Sequence, residues 1–206
     1  MTNVNSAKFW ENVYQNGRAP WDLGKPTPVF RRLLESEQFT PGRMIVLGAG
    51  LGHDARMFAR HGFTVTAVDF AAEAAREMQA LNDLEAPVDI IHADIFALPE
   101  ALNGTFDYVL EYTCFCAIDP QRRPEYADLV TSLLKPGGIY IALAFPIWDR
   151  PGGPPFAVSP DELIQLLSGR GFNLRQRQRP ADSVPSRCEF EELLIFYKKD
   201  EVLVYS

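Results

Sequence analysis

The segment "RMIVLGAGLGHDARMFARHG", residues 43–62, constrains the fold of this chain more than any other. An apolar run of strand length passes into glycines at 48, 50 and 52, then into a helix-periodic run closed by Gly62. Strand, glycine turn and helix form the opening unit of a parallel sheet, because parallel neighbours need a crossover. The alternation then continues. "FTVTAVD" reads as a β-branched strand and "AAEAAREMQALND" as a helix; "VDIIHAD" and "FDYVLEY" are two further strands around the short connection "IFALPEALNG". "RRPEYADLVTSLLKPGG" carries Leu129, Leu133 and Leu134 at helical spacing and is expected to stop at Lys135-Pro136-Gly137-Gly138, before the strand "IYIALAFP".

Near-continuous apolar strands alternating with helices predict an α/β fold, with a mainly parallel sheet covered on both faces. After residue 150 the pattern changes. "RPGGPPFAV" reads as a loop, and "SPDELIQLLSGRGF" as a helix with Ser159 and Glu162 forming a capping box. "NLRQRQR" and "EELLIFYKK" then read as two late strands. No repeat or linker divides the 206 residues, so the expectation is one domain, 1–206, with a helical extension over 1–40 and a core over 41–206.

The charge balance narrows the function. A net charge of −7 argues against a nucleic-acid groove, and the one dense basic run, "RQRQR" at 175–179, alternates like a solvated strand face. The opening residues show no charged n-region followed by an apolar core, so no signal peptide is expected. "IYIALAFPIW" is too short to span a bilayer. Three cysteines fit a reducing, cytoplasmic setting. Cys114 and Cys116 form C-x-C with no completing partner, so no metal is expected.

The glycine loop has a chemical reading. Its spacing is G-x-G-x-G, and His53 stands where the dinucleotide pattern places its third glycine. A loop that binds S-adenosylmethionine (SAM) has no pyrophosphate to hold and needs only close backbone approach at Gly48 and Gly50. Asp69 ends the second strand, where a carboxylate accepts from both ribose hydroxyls. Asp94 ends the third, placed for an adenine amino group, with Ile95 and Phe96 beside it to cover the ring. Either aspartate alone would read equally well as a cap. Together with the glycines, at the carboxyl ends of successive strands, they read as a SAM site.

With these features in order, the chain resembles the thiopurine methyltransferase superfamily, and within it the thiol and halide methyltransferase branch of plants. The similarity runs from Phe9 almost to the C-terminus. It is carried by "GRAPWDLGKPTP", "FCAIDP" followed by "RP", "LLKPGG" and "GGPPFAV", with a fainter tail match in "VPSR...EEL". The resemblance implies a Rossmann-like class I SAM-dependent methyltransferase with seven strands, the seventh inserted antiparallel. It also implies that the N-terminal helix and loop form a lid, with Trp10, Tyr14 and Trp21 lining the cofactor site. Gly48, Asp69, Asp94, Ile95 and Tyr112 match the family's other cofactor positions. Aromatic faces attract a sulfonium cation by about 0.5–2 kcal/mol each when desolvated. Phe9, on the same helix, is expected in the core.

The expected activity is methyl transfer to a small sulfur nucleophile (thiol, hydrosulfide or thiocyanate), extending to halide. Alternatives within the class are a heteroaromatic thiol or a selenium or tellurium oxyanion. A non-catalytic SAM-binding sensor is the reading from another class, while a nicotinamide-dependent oxidoreductase conflicts with His53. Tyr112 and Asp149 are the candidate catalytic residues: no compelling base stands out, Asp149 and Glu111 being the candidates by position, while Tyr112 could orient an acceptor or, as the resemblance favours, hold the amino-acid part of SAM. Cys114, Phe115, Arg123, Trp148 and Phe156 are the candidate acceptor-side residues, and Arg122 shares with Arg123 the reading of a cation that attracts an anion or pairs Glu125. Departures from the plant branch include Cys114 for an aromatic residue, Tyr14 for tryptophan, Glu111 for aspartate, Ala49 for cysteine, and an acidic, apolar tail. A small-molecule acceptor is the expected partner, with neither nucleic acid nor membrane, in a monomer.

Overall fold

In the computed structural model, residues 4–17 and 19–200 are described; Arg18 of the "GRAPWDLGKPTP" motif and most of the acidic, apolar tail lie outside them. Seven strands form one sheet: β1 (Arg43–Leu47), β2 (Thr64–Asp69), β3 (Val88–His92), β4 (Phe106–Tyr112), β5 (Leu134–Ala144), β6 (Phe172–Gln178) and β7 (Glu192–Lys198). Their order is β3-β2-β1-β4-β5-β7-β6. β1 to β5 pair in parallel, and β7 is inserted antiparallel between β5 and β6.

Both faces are covered, and strand alternation shows how. Along β1, Ile45 and Leu47 join one apolar cluster while Met44 and Val46 join the other. The first cluster takes Tyr126, Val130 and Leu133 of α5 (Arg123–Leu133) and Leu163 and Leu167 of α6 (Pro160–Ser168). The second takes Phe30 and Leu33 of α2 (Pro28–Glu35), Phe58 of α3 (His53–Arg60) and Met78 of α4 (Ala72–Ala80). Helix α1 (Ala7–Gln15) touches α4, yet none of its residues is buried. Phe9 therefore does not reach the core; it packs edge-on against Trp10.

Two local expectations are corrected. Leu134 already pairs with Phe106, and the next pairing is Ile139 with Tyr108, so Lys135-Pro136-Gly137-Gly138 bulges out of β5 rather than ending the helix. Gly137 supplies the positive φ of that bulge. At α6, Ser159 Oγ accepts from the Glu162 amide at 3.2 Å, but the Glu162 carboxylate does not return the bond. It pairs instead with Arg123, whose guanidinium is 4 % exposed and needs a carboxylate partner. Among the described residues no helix is long and apolar enough to cross a membrane.

Candidate functional site

At the carboxyl edge of the parallel strands lies a cavity of about 350 Å³. Its two halves differ in charge. Over β1, β2 and β3 it is bordered by Gly48, Asp69, Asp94, Ile95 and Phe96. Over β4 and β5 it is bordered by Cys114, Cys116, Ile118 and Phe145, with Pro154-Pro155 and Arg187 brought in from later loops. Trp10, Tyr14 and Trp21 enclose it from the N-terminal segment.

The glycine loop is shaped by its neighbours. Gly48 has φ +62°, and a Cβ there would stand 2.8 Å from both Cβ and Sγ of Cys114, so the turn after β4 already demands glycine. Gly50, at φ +56°, donates its amide to Asp69 Oδ2 at 2.7 Å. The Ala71 amide donates to Asp69 Oδ1 at 2.9 Å. Burial pushes the Asp69 carboxyl up to about 6, against the pull of these amides. The Phe70 amide acts on the same carboxylate, so three of its roughly four acceptor positions are engaged and capacity remains for a donor from the cavity side. Asp94 accepts from the Phe96 amide at 3.0 Å and caps the short turn Ile95–Ala97. Asp94 thus acts as a cap and Asp69 as a brace of the loops on either side, while both border the cavity. An edge formed by the buried Asp69 and the half-buried Asp94, facing a cage of aromatic rings, suits a diol, an amino-purine and a sulfonium.

The aromatic cage is a connected unit. Trp10 and Trp21 meet edge-to-face at 5.5 Å between centroids, Tyr14 and Trp21 at 5.7 Å. Trp21 Nε1 donates to Tyr14 Oη at 3.3 Å, and Trp10 Nε1 donates to the Val4 carbonyl at 2.9 Å. The segment beyond α1 is anchored on α3. Asp22 pairs with His53 at 3.1 Å, while the Thr27 amide and hydroxyl donate to Asp54 at 2.7 and 2.8 Å. His53, where a dinucleotide loop would have glycine, is therefore a tether for the Trp21 segment.

The other sequence candidates divide sharply. Tyr112 borders a small adjoining hollow of about 60 Å³ rather than the main cavity. Its hydroxyl donates to Glu191 Oε2 at 2.7 Å and accepts from Arg187 Nη1 at 2.5 Å. Burial and Glu191 drive its pKa well above the ordinary phenol value, so it stays protonated and is no base. Asp149 is exposed and does not border the cavity, which removes it as a catalytic group. Cys114 does border it, and burial holds its thiol neutral.

Phe115, Arg123, Trp148 and Phe156 do not border it. Phe115 is buried against Tyr126. Arg123 binds Glu162 and the Ala157 carbonyl, both at 2.7 Å. Trp148 lies outside, edge-on to Phe145 and tilted against Phe190. Phe156 packs across Gly153 and donates its amide to the Cys116 carbonyl at 2.7 Å. These residues hold the walls from behind. Arg122, the neighbour of Arg123, is the one that reaches the cavity, lying 3.6 Å over the Phe96 ring while bound by Glu125. Arg187 was not singled out by sequence; the tail match "VPSR...EEL" was the only signal at that position. Among the described residues no group of three or more His, Cys, Asp or Glu side chains could hold a metal.

Sheet order, inserted antiparallel strand and cavity position define a class I SAM-dependent methyltransferase fold. In agreement, the chain superposes on 1,6-didemethyltoxoflavin-N1-methyltransferase of Burkholderia thailandensis, solved with bound S-adenosylhomocysteine. The TM-score is 0.75 at 23% identity over 94% of this chain and 87% of that one. Residues 5–206 match the profile of the thiopurine S-methyltransferase family. The chain is similar to probable thiol methyltransferase 2 of Arabidopsis thaliana, with 39% identity over 84% of this chain and 76% of that protein. It is also similar to thiocyanate methyltransferase 1 of Brassica oleracea, 33% identical over 89% and 82%. The chain belongs to the thiopurine S-methyltransferase family and is a SAM-dependent methyltransferase.

Proposed function

We propose that the acceptor is a small sulfur nucleophile (a thiol, hydrosulfide or thiocyanate) and that halide is accepted at the same place. One observation carries this. Among the described residues, the cavity half over β4 and β5 is bordered by apolar, thiol and hydroxyl side chains and by Arg187, with no carboxylate or imidazole placed to take a proton. An acceptor there has to arrive already deprotonated, as thiolates, hydrosulfide, thiocyanate and iodide do. The names of the two plant relatives support the same class.

When bound, SAM supplies a methyl group already activated on sulfur. The chain's own residues bind, orient and dry the site. Asp69 would receive the ribose hydroxyls and Asp94 the adenine amino group, Ile95 would cover the ring, and the backbone of Gly48 and Gly50 would leave room for the methionine portion. Trp10, Tyr14 and Trp21 would enclose the cation and exclude water, acting as a lid in the segment before β1. Cys114 lines the acceptor side, and Tyr112 orients Arg187 rather than touching the reacting atoms. A dry pocket favours reaction of an anion, whose hydration otherwise holds it back.

The test is direct. The purified protein is incubated with SAM and, separately, hydrosulfide, an aryl thiol, thiocyanate or iodide, and products are identified by mass spectrometry. Methylated sulfur products, with or without methyl iodide, are expected. SAM binding with no methylated product from any of these acceptors would reject the proposal.

A further inference from the structure

The sheet order β3-β2-β1-β4 sets a direction along the cavity. Asp94 follows β3, Asp69 ends β2 and the glycine loop follows β1. A cofactor with its adenine at Asp94 and its ribose at Asp69 therefore runs its remaining end toward β1 and β4. There the cavity meets the small adjoining hollow, and the two share Trp21, Gly48 and Thr113. The hollow is bordered by residues 48–51 of the glycine loop and by the segment that follows Trp21.

Most polar side chains on its rim already have partners within the protein. Asp22 pairs with His53 at 3.1 Å, and Asp54 accepts from the Thr27 amide and hydroxyl. Tyr112 borders the hollow too, but its hydroxyl is held by Glu191 and Arg187, so it has no polar group to spare for the amino-acid part of SAM. Lys25 differs. It borders the hollow, is exposed, and makes no hydrogen bond or ion pair among the described residues. Its backbone is nevertheless fixed from both sides. Gly24, at φ +66°, donates its amide to Asp22 Oδ1 at 2.8 Å, and Thr27 is tied to Asp54. Pro26 between them restricts φ further. The turn thus displays one unpaired ammonium at the rim of the hollow.

SAM ends in an amino acid whose carboxylate is ionised at neutral pH. A lysine ammonium is a compact charge on a flexible stem, suited to a carboxylate whose place is set by other contacts. We propose that Lys25 pairs with the carboxylate of SAM at this hollow and makes cofactor selection depend on that carboxylate. The pairing needs only the cofactor and is independent of which acceptor is methylated. Lys25 and Trp21 belong to one tethered segment, so the cofactor's anionic end and its sulfonium would draw the same segment onto the site.

The experiment compares SAM with decarboxylated SAM, which keeps adenine, ribose, sulfonium and amine and lacks the carboxylate alone. Each is titrated by calorimetry, without acceptor, into wild type, Lys25→Met and Lys25→Arg, with melting temperature as the fold control. Wild type is expected to bind SAM more tightly than the decarboxylated form. In Lys25→Met, SAM affinity should fall about fivefold, the scale of an ion pair at an exposed site, while affinity for the decarboxylated form holds or rises. Lys25→Arg keeps the charge and should keep the preference. An equal loss for both ligands would make Lys25 a structural part of the segment, and no loss for either would leave the carboxylate to other groups; each result overturns the proposal. So would a wild type that binds the two ligands equally well. The acceptor class stands or falls by its own product assay in every case.

Discussion

Asp69 shows how one side chain can shape a loop and border a cavity together. Its two oxygens hold the Gly50 and Ala71 amides, so the same carboxylate shapes the glycine loop and faces the cavity. Asp69→Ala is expected to weaken SAM binding by about 2–4 kcal/mol, since hydrogen bonds to a charged acceptor are worth about 1.5–3 kcal/mol each. Asp69→Asn, which keeps one amide acceptor, should lose less. Calorimetric titration of each variant measures this, and unchanged affinity in Asp69→Ala would remove the residue from the site. The neighbours Arg122 and Arg123 mark the limit of reading residues singly. Both sit at a helix start with carboxylates nearby, and sequence offers no means to say which faces inward. Helix geometry turns Arg123 toward the Ala157 carbonyl and Glu162, and Arg122 toward Phe96.

Between α1 and α2, a segment with little regular structure is held by side chains of α3. Thr27→Val removes the hydroxyl that donates to Asp54 Oδ2 and leaves that buried oxygen without its donor. A loss of about 1–3 kcal/mol in apo stability is expected, together with weaker SAM binding, because the tether of the Trp21 segment is loosened. Denaturant melts and titrations on one preparation separate the two effects. Trp21→Ala should behave differently. Its ring contacts Trp10, Tyr14 and the cavity, so SAM affinity should drop while apo melting temperature barely moves. A large fall in apo stability would instead assign that ring to packing. Patterning located this segment's aromatics, but not the tethers to His53 and Asp54, which depend on α3 standing beside the segment.

Among the described residues, desolvation holds four carboxylates above their ordinary range: Asp54 and Asp69 at about 6, Glu111 at about 7, and Glu191, which is raised as well. An acid with a raised folded pKa binds more protons folded than unfolded between the two values, so stability falls as pH rises through that window. Apo stability is therefore expected to decline from about pH 4, where the aspartates begin to differ, to about pH 7, each group contributing at most about 1.4 kcal/mol per pH unit. Glu111 accepts from the Phe115 amide at 2.7 Å and holds the turn beside Cys114. Glu111→Gln keeps an acceptor there without the charge and should flatten the decline. Melting curves at several pH values would show it; parallel profiles for variant and wild type would refute the assignment.

The strand-glycine-helix order, the alternation through residue 150 and the two late strands were legible because period and turn chemistry are local properties of the chain. So were Asp69 and Asp94, since the end of a strand can be read from where its apolar run stops. What borders the cavity was not local. Phe115, Trp148 and Phe156 are aromatic and near the right loops, yet they pack behind the walls. Arg187, 166 residues from Trp21 in sequence, meets it only because β7 is inserted next to β5 and returns the preceding loop over the sheet edge. Sequence alone determined the layered sheet and the two carboxylates at its edge, whereas tertiary structure alone decided which charges face the cavity, because burial and pairing are settled between elements and not within them.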